Sequence, residues 1–380
     1  MPTQDRPYLS RRRWLQLSTG VIGSAAVLGK SRVHAALVSK PESSHPFINL
    51  SINENQFGPS PKVREAMIRS MDFPHEYPDE PRDRLTKAIA RAHGLRPENV
   101  LIGAGSADIL YGAGYFFGLQ GGEIISSDPS FHILSHMAEK VGATLNFARF
   151  NAHHAVDLDA LKSKLSDKTR MVYICNPENP TGTLLKPEEL KAFCKEVSKI
   201  CPIVIDEAYI DYAGDAQALS MIPLVAKDHP VVITRTFSKG FGLGGMRVGY
   251  AVSTPELVKG IGSQYVTGIG CGASRISIEA AIAAFGDTNH IQQVYTQNKT
   301  ARTRVEHMLT NFGLNPIPSK GGFVLAPVIQ DSKALADGLF YGSQVKISPR
   351  NYFGQNYLRI SVGRDDQLDV LEAGLKLVLG

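Results

Sequence analysis

The stretch VVITRTFSKGFGLGGMRVGYAV, residues 231–252, decides the fold. Its first part, VVITRTF (231–237), is short, apolar and β-branched, the pattern of a buried strand. A turn follows that holds one lysine, Lys239, and then Gly240, Gly242, Gly244 and Gly245. MRVGYAV (246–252) then reads as a second strand. Gly240, Gly242 and Gly245 match the G-x-G-x-x-G spacing of a dinucleotide-binding turn. That turn must open a helix and be followed by an acid about 20 residues on, and this one does neither. The unit is therefore strand, turn, strand. Lys239 stands in it with no acid within several positions to pair with it.

The same strand signal recurs upstream in EIISSDPSF (123–131), MVYIC (171–175) and PIVID (202–206). Between the strands lie helical patterns. SADILYGAGYFF (106–117) has Ser106 as its candidate N-cap. KPEELKAFCKEVSK (186–199) has Pro187 at its start and Leu190, Phe193, Cys194 and Val197 on one face. Alternation at this spacing predicts βαβ units and an α/β fold with a mostly parallel sheet. The last third differs: a helix over 291–312, strands at 321–328 and 357–363, and a closing helix near 366–379. It predicts a smaller α+β domain. The expected organisation is an N-terminal arm over 36–60, a large domain over 61–255 and a small domain over 256–380. Ligands of open parallel sheets sit at the carboxyl ends of the strands. Residues 176–182, 206–209 and 238–239 are therefore the places to look for a site.

Composition limits the alternatives. The chain has 380 residues, 43% hydrophobic and 20% charged, which fits a folded globular protein with more than one core. Its formal charge is +5, but residues 1–35 hold six basic residues and one acid, so the remainder has 35 of each. The basic balance thus says nothing about nucleic acid. Residues 1–35 have the layout of an export signal: Arg11, Arg12 and Arg13, an apolar segment from Leu15 to Leu28, and a small-residue site at Val33-His34-Ala35. Ser10-Arg11-Arg12-Arg13-Trp14-Leu15 resembles the twin-arginine signal, with Trp14 where Phe is usual. That predicts a periplasmic or secreted protein with no membrane segment in its mature form. Cys175, Cys194, Cys201 and Cys271 show no metal or redox spacing and are expected to be free, buried thiols.

Three motifs carry the chemistry: CNPENPTG (175–182), IDEAYIDY (205–212) and TFSKGFGLGGMRVG (236–249). In this order and spacing they resemble the fold-type I, class I/II aminotransferases, which depend on pyridoxal 5'-phosphate. The resemblance runs from about residue 47 to the C-terminus. It implies that Lys239 forms a Schiff base with the cofactor aldehyde, which explains a lysine without an acid, because attack needs the neutral amine. Asp206 is then the partner of the pyridine nitrogen. Tyr209 and Asn179 hold the ring's phenolic oxygen, and Phe131 stacks on the ring. Ser106, Ala107 and Asp108 form the phosphate loop at a helix start. Thr236, Ser238 and Arg247 are further phosphate ligands, and Tyr77 reaches the phosphate of the partner subunit in a homodimer. Arg359, in YLRISVG, anchors the substrate carboxylate.

LSINENQFGPSP (50–61) and LRISVG place the chain nearest the histidinol-phosphate aminotransferase branch, with Asn55, Phe57 and Arg350 as substrate residues. Gln56 and Phe57 depart from that branch's usual Pro and Tyr, and the segment around Arg350 matches loosely. The reading predicts transfer of an amino group between an amino acid, or histidinol phosphate, and a 2-oxo acid, and the departures favour a donor other than histidinol phosphate. A decarboxylase or lyase on the same fold is the alternative, since sequence does not set which α-bond stands perpendicular to the ring.

Overall fold

The computed structural model describes residues 46–263, 272–352 and 354–380. The export-signal stretch and Cys271 lie outside the described residues. The described chain opens with a two-residue strand, β1 (Ile48–Asn49), and helices α1 (Pro61–Ser70) and α2 (Asp79–Ala92). A seven-stranded sheet follows. Its strands are β2 (Val100–Gly103), β3 (Glu123–Asp128), β4 (Thr144–Arg149), β5 (Thr169–Cys175), β6 (Ile203–Asp206), β7 (Val231–Thr236) and β8 (Gly249–Val252). Their order is β2-β8-β7-β6-β5-β3-β4. Only β8 runs against its neighbours. The carboxyl ends of β2, β3, β4, β5, β6 and β7 therefore share one edge.

Both faces of this sheet are covered. Helices α3 (Ser106–Gly118) and α4 (Ile133–Lys140) pack Ile109, Leu110 and Leu134 against Met171, Tyr173 and Val204 on one face. On the other, α2, α5 (Pro187–Val197) and α6 (Arg275–Phe285) pack Leu85, Leu190 and Ile278 against Val172, Ile174 and Ile203. Alternate residues of each strand thus meet different helices, which is why the strands read as unbroken apolar runs. The same alternation sorts the polar residues at the strand ends. Thr234 and Thr236 follow Val232 onto the α3 face, while Arg235 follows Ile233 onto the other.

The turn after β7 differs from its sequence reading. The strand expected from Met246 starts at Gly249; a 3-10 turn occupies Gly244–Met246, and Arg247 is left-handed at φ 52. This bend aims Arg247 back toward the end of β2. Gly242, at φ 71, lets the turn lie on Gly58, where any Cβ would strike backbone atoms at 2.5 Å.

The remaining elements are α7 (Thr288–Asn311), β9 (Phe323–Val328), α8 (Ser332–Ser343), β10 (Val345–Lys346), β11 (Ser348–Tyr352), β12 (Gln355–Ser361) and α9 (Asp365–Leu379). β11, β12 and β9 form an antiparallel sheet, and β10 pairs with β1. Val305, Val324, Leu339, Ile360 and Leu371 build the core here. Leu50 belongs to the same core, so the end of the predicted N-terminal arm is built into this C-terminal layer. Cys175, Cys194 and Cys201 are free and buried as expected, and burial pushes the Cys194 thiol up to about 12.

One buried ion pair joins β6 to β7 behind the sheet's carboxyl edge. Arg235 Nε donates to Glu207 Oε2 at 3.0 Å, and Nη2 donates to the Ala216 carbonyl. Glu207 also accepts from the Ser220 hydroxyl and the Met221 N–H. Removing Arg235 leaves a charged carboxylate in a dry site, which costs about 3–5 kcal/mol. Arg235→Ala should lower the free energy of unfolding of the apo-protein by that amount in a denaturant titration. A change below ~1 kcal/mol would mean that solvent reaches Glu207.

Candidate active site

An anion cup lies where β2 and β7 end and β8 begins. Gly105, at φ 92 and ψ 159, caps α3, so Ser106 is the first helical residue and not the cap. The Ser106 and Ala107 N–H groups open the helix and have no intrahelical acceptor. Asp108 Oδ2 accepts from the Ala104 N–H at 3.0 Å and braces the loop beneath them. From β7, Thr236 Oγ1 accepts from the Ser238 N–H at 3.0 Å. Arg247 Nη1 donates to Ser238 Oγ at 3.2 Å. The glycines make this gathering possible. Gly249 pairs with both Gly103 and Thr236, and a Cβ there would collide with Ser106 N. A Cβ on Gly105 would fall 2.5 Å from Arg247 Nη2. A helix start, a guanidinium and two hydroxyls thus surround one small space.

Lys239 begins the turn above this cup. Its Nζ donates to the Asn53 carbonyl at 2.8 Å and the Ile52 carbonyl at 3.4 Å. It lies 5.6 Å from the centroid of the Tyr209 ring. Burial, with Arg359 and Arg247 nearby, pushes its pKa down to about 8, against the opposing pull of Glu54 and Asp206. Main-chain carbonyls hold the amine without supplying the full charge that would keep it protonated.

Asp206 ends β6 and is 1% exposed. Burial pushes its carboxyl up to about 6, although Thr234 Oγ1 donates to it at 2.9 Å. The Tyr209 hydroxyl accepts from Asn53 Nδ2 at 3.0 Å, and its ring meets Phe323 edge-on at 5.0 Å. Arg359, on β12, is buried. Nη1 donates to Asn179 Oδ1 at 2.7 Å and Nη2 to the Ser51 carbonyl at 3.0 Å. Its Nε is buried without a partner. Burial and the neighbouring Arg350 push this guanidinium's pKa down. A buried guanidinium that faces no carboxylate among the described residues, with one donor unused, is a receptor for an acid brought in by a ligand.

Not every predicted residue faces the site in the predicted way. Asn55 Nδ2 donates to the carbonyls of Lys239 and Gly240, so it fastens the lysine turn and its amide is already engaged. Phe57 packs against the C-terminal core. Arg350 stands on β11 with a buried, unpartnered Nε, on the same sheet face as Arg359. Phe131 is half-buried against the α3 and α4 layer. Tyr77 is 70% exposed. Sequence reasoning missed Asn53 and Phe323. Asn53 touches Lys239, Tyr209 and, through Ser361 Oγ, β12. A second asparagine two positions before Asn55 was its only signal.

The sequence pattern of the family described as aminotransferase class I and II matches residues 45–374. The chain belongs to that family. The aromatic amino acid aminotransferase of Mycolicibacterium smegmatis is 33% identical, over 85% of this chain and 87% of its own. Histidinol-phosphate aminotransferase 2 of Haemophilus influenzae is 31% identical, over 88% and 90%. The solved structure of Sinorhizobium meliloti histidinol-phosphate aminotransferase, in complex with pyridoxal-5'-phosphate, superposes with a TM-score of 0.79 at 28% identity. It covers 95% of this chain and 97% of its own. The protein is a pyridoxal-phosphate-dependent aminotransferase.

The residues fit that cofactor. The cup suits a phosphate, Asp206 suits a ring nitrogen that carries a proton, and Lys239 offers an amine that is about half neutral near pH 8. The neutral fraction of Lys239 rises with pH and levels off above its pKa. The rate of pyridoxal phosphate capture by the apo-aminotransferase, followed by visible absorption, should therefore climb to about pH 8 and then flatten. A rate still rising above pH ~9 would mean an ordinary, solvated lysine.

Proposed function

We propose that Lys239 carries the cofactor and that this aminotransferase moves an amino group from an α-amino acid to a 2-oxo acid. The observation that carries the reading is the Lys239 amine, set between main-chain carbonyls and within the field of Arg359. Bound pyridoxal phosphate supplies the electron sink for the carbon that loses its proton. Lys239 Nζ would take that proton from the donor's α-carbon and return it to the carbon of the cofactor's former aldehyde, and a pKa near 8 suits an amine that must do both. Asp206 holds the proton on the ring nitrogen. Tyr209 and Asn179 face the ring oxygen, and Phe131 covers the ring. Ser106, Ala107, Thr236, Ser238 and Arg247 take the phosphate. Arg359 grips the donor's carboxylate with its free Nε, and the bond to Asn179 fixes the plane of the fork.

The working unit is a homodimer in which Tyr77 reaches the partner's site. Ile68, Met71, Phe73 and Tyr77 are all exposed within ten residues, an apolar strip of the kind that a second copy covers. The protein is exported folded by the twin-arginine route, which lets it load a cytosolic cofactor first. The family match begins only at residue 45, so the candidate signal is additional to the catalytic body. Fractionation of cells that express the full chain, with a Lys-Lys variant of Arg11 and Arg12 as control, tests this localisation.

Lys239→Ala should abolish the visible absorption band and lower turnover by ~10³-fold or more while the fold survives. Retained turnover would remove Lys239 from the mechanism. Arg359→Ala should raise KM for the amino donor about 10- to 100-fold, as loss of charge-assisted hydrogen bonds requires. Bleaching of the band by a panel of amino acids, with histidinol phosphate included, identifies the donor. Mixing Lys239→Ala with Tyr77→Ala protomers should restore tight cofactor binding, because one site in each mixed dimer has both residues. No restoration would place Tyr77 outside the partner's site.

A further inference from the structure

Glu178, in the middle of CNPENPTG, has no task in the site described above. It is a carboxyl group with 1% exposure, beside the cofactor space. Oε1 accepts from the Ser130 hydroxyl at 2.8 Å, and Oε2 is buried with no hydrogen-bond partner. The main chain closes round it: the Glu178 N–H donates to the Thr183 carbonyl, and the Gly182 N–H donates to the Glu178 carbonyl.

The two residues joined by this bond stand at informative places. Ser130 immediately precedes Phe131 in the loop after β3. Glu178 immediately precedes Asn179 in the loop after β5, and Asn179 holds Arg359. One bond therefore couples the segment that carries the ring-covering aromatic to the segment that orients the carboxylate anchor. We infer that Glu178 is a positioning residue that pins the Phe131 loop to the Asn179 loop through Ser130. The inference rests on the cofactor reading of this site.

Burial, an oxygen without a partner and the absence of a facing cation among the described residues favour the uncharged carboxylic acid here. The groups that bear on Glu178 supply no compensating cation. They are Ser130 on the facing loop, the Asn179 N–H, Asp206 at the end of β6, Cys175 and Tyr173 on β5, and Tyr352 from β11. Asp128 and His132 lie on the loop that it holds, where the Ser130 N–H donates to His132 Nε2. Burial, against the pull of the Ser130 hydroxyl and the Asn179 N–H, pushes the Glu178 pKa well up, and Asp206 adds to the rise. Ionisation would place a second negative charge beside Asp206 with an oxygen that nothing solvates. The neutral acid has the shape and hydrogen-bonding capacity of an amide, so glutamine is its close substitute.

The test uses the full-length apo-protein and its Glu178→Ala and Glu178→Gln variants. Pyridoxal phosphate affinity is titrated by absorption, KM is measured for the amino donor, and the apo melting temperature is followed against pH. Glu178→Ala should weaken cofactor binding about tenfold and raise KM, the scale of one lost buried hydrogen bond. Glu178→Gln should restore both. A carboxyl whose folded pKa is raised loses stability as pH climbs above its ordinary range. The wild type should therefore melt progressively lower than Glu178→Gln as pH rises from the ordinary carboxyl range, and the other titrating groups cancel in that difference. Equal behaviour of wild type and Glu178→Ala overturns the pin. A glutamine variant as weak as the alanine one, or a melting difference that does not change with pH, overturns the neutral acid. If Glu178→Ala does not fold, the glutamine comparison decides alone. Lys239→Ala serves as the separate control: loss of its absorption band upholds the cofactor reading whatever Glu178 does, and the apo melting curves bear on Glu178 even if that reading fails.

Discussion

Everything in this site depends on holding a lysine amine in place without giving it a carboxylate. An ion pair would fix Lys239 firmly and also keep it protonated, which would silence it as a nucleophile and as a base. The fold holds Nζ with the carbonyls of Ile52 and Asn53, which are dipoles and not charges. It then places Arg359 and Arg247 close enough to oppose protonation. The nearest acids, Glu54 and Asp206, pull the other way and lose to burial and the two arginines. The N-terminal segment is therefore part of the site: Asn53 holds the amine, and Asn55 holds the turn that bears it.

The sheet makes this arrangement rigid. Because β8 alone is reversed, six strands deliver their carboxyl ends to one edge, and short loops can reach a common point. Strand alternation then separates two kinds of charge. Asp206 and the threonines beside it lie on the α3 side, where the helix start and Arg247 make an anion cup. Arg235 and Glu207 lie behind, paired with each other and with main-chain groups. The first set is left with unused donors and acceptors for a ligand, and the second is satisfied within the protein. That contrast distinguishes a binding charge from a structural one more reliably than burial does, since Asp206 and Glu207 are each 1% exposed.

The C-terminal layer completes the site from the opposite side. β12 brings Arg359, Phe323 on β9 supports both Arg359 and Tyr209 through ring contacts, and Ser361 binds Asn53. The aromatic ring of Tyr209 contacts both Lys239 and Phe323, and Phe323 contacts Arg359, so the Lys239 amine and the Arg359 guanidinium are held in one packed group. A shift of β12 would be felt at Lys239 through Asn53 as well as at the anchor.

Much of this was legible in the chain itself. Apolar runs of strand length alternating with helical patterns pointed to a mostly parallel sheet with both faces covered, because that arrangement buries the runs on both sides. The turn after VVITRTF, leading into a strand and not a helix, excluded a dinucleotide site, and the resemblance to the aminotransferases then pointed to Lys239. The direction of the sheet pointed to the strand ends that hold Asp206, Asn179 and Ser238, while Thr236 followed only from the resemblance. Tertiary structure alone decided the rest. Which asparagine of SINEN faces the lysine depends on a left-handed turn at Asn53 and its bonds to Ser361, which is 308 positions away. Arg247 reaches the cup only because the backbone folds back at that residue, so the strand begins later than its apolar pattern suggests. The tasks of Phe323 and Glu178 have no local signature, because each arises from contact with a segment far along the chain. Local patterns record which faces must be buried; they do not record which distant partner will satisfy a polar group once it is buried there.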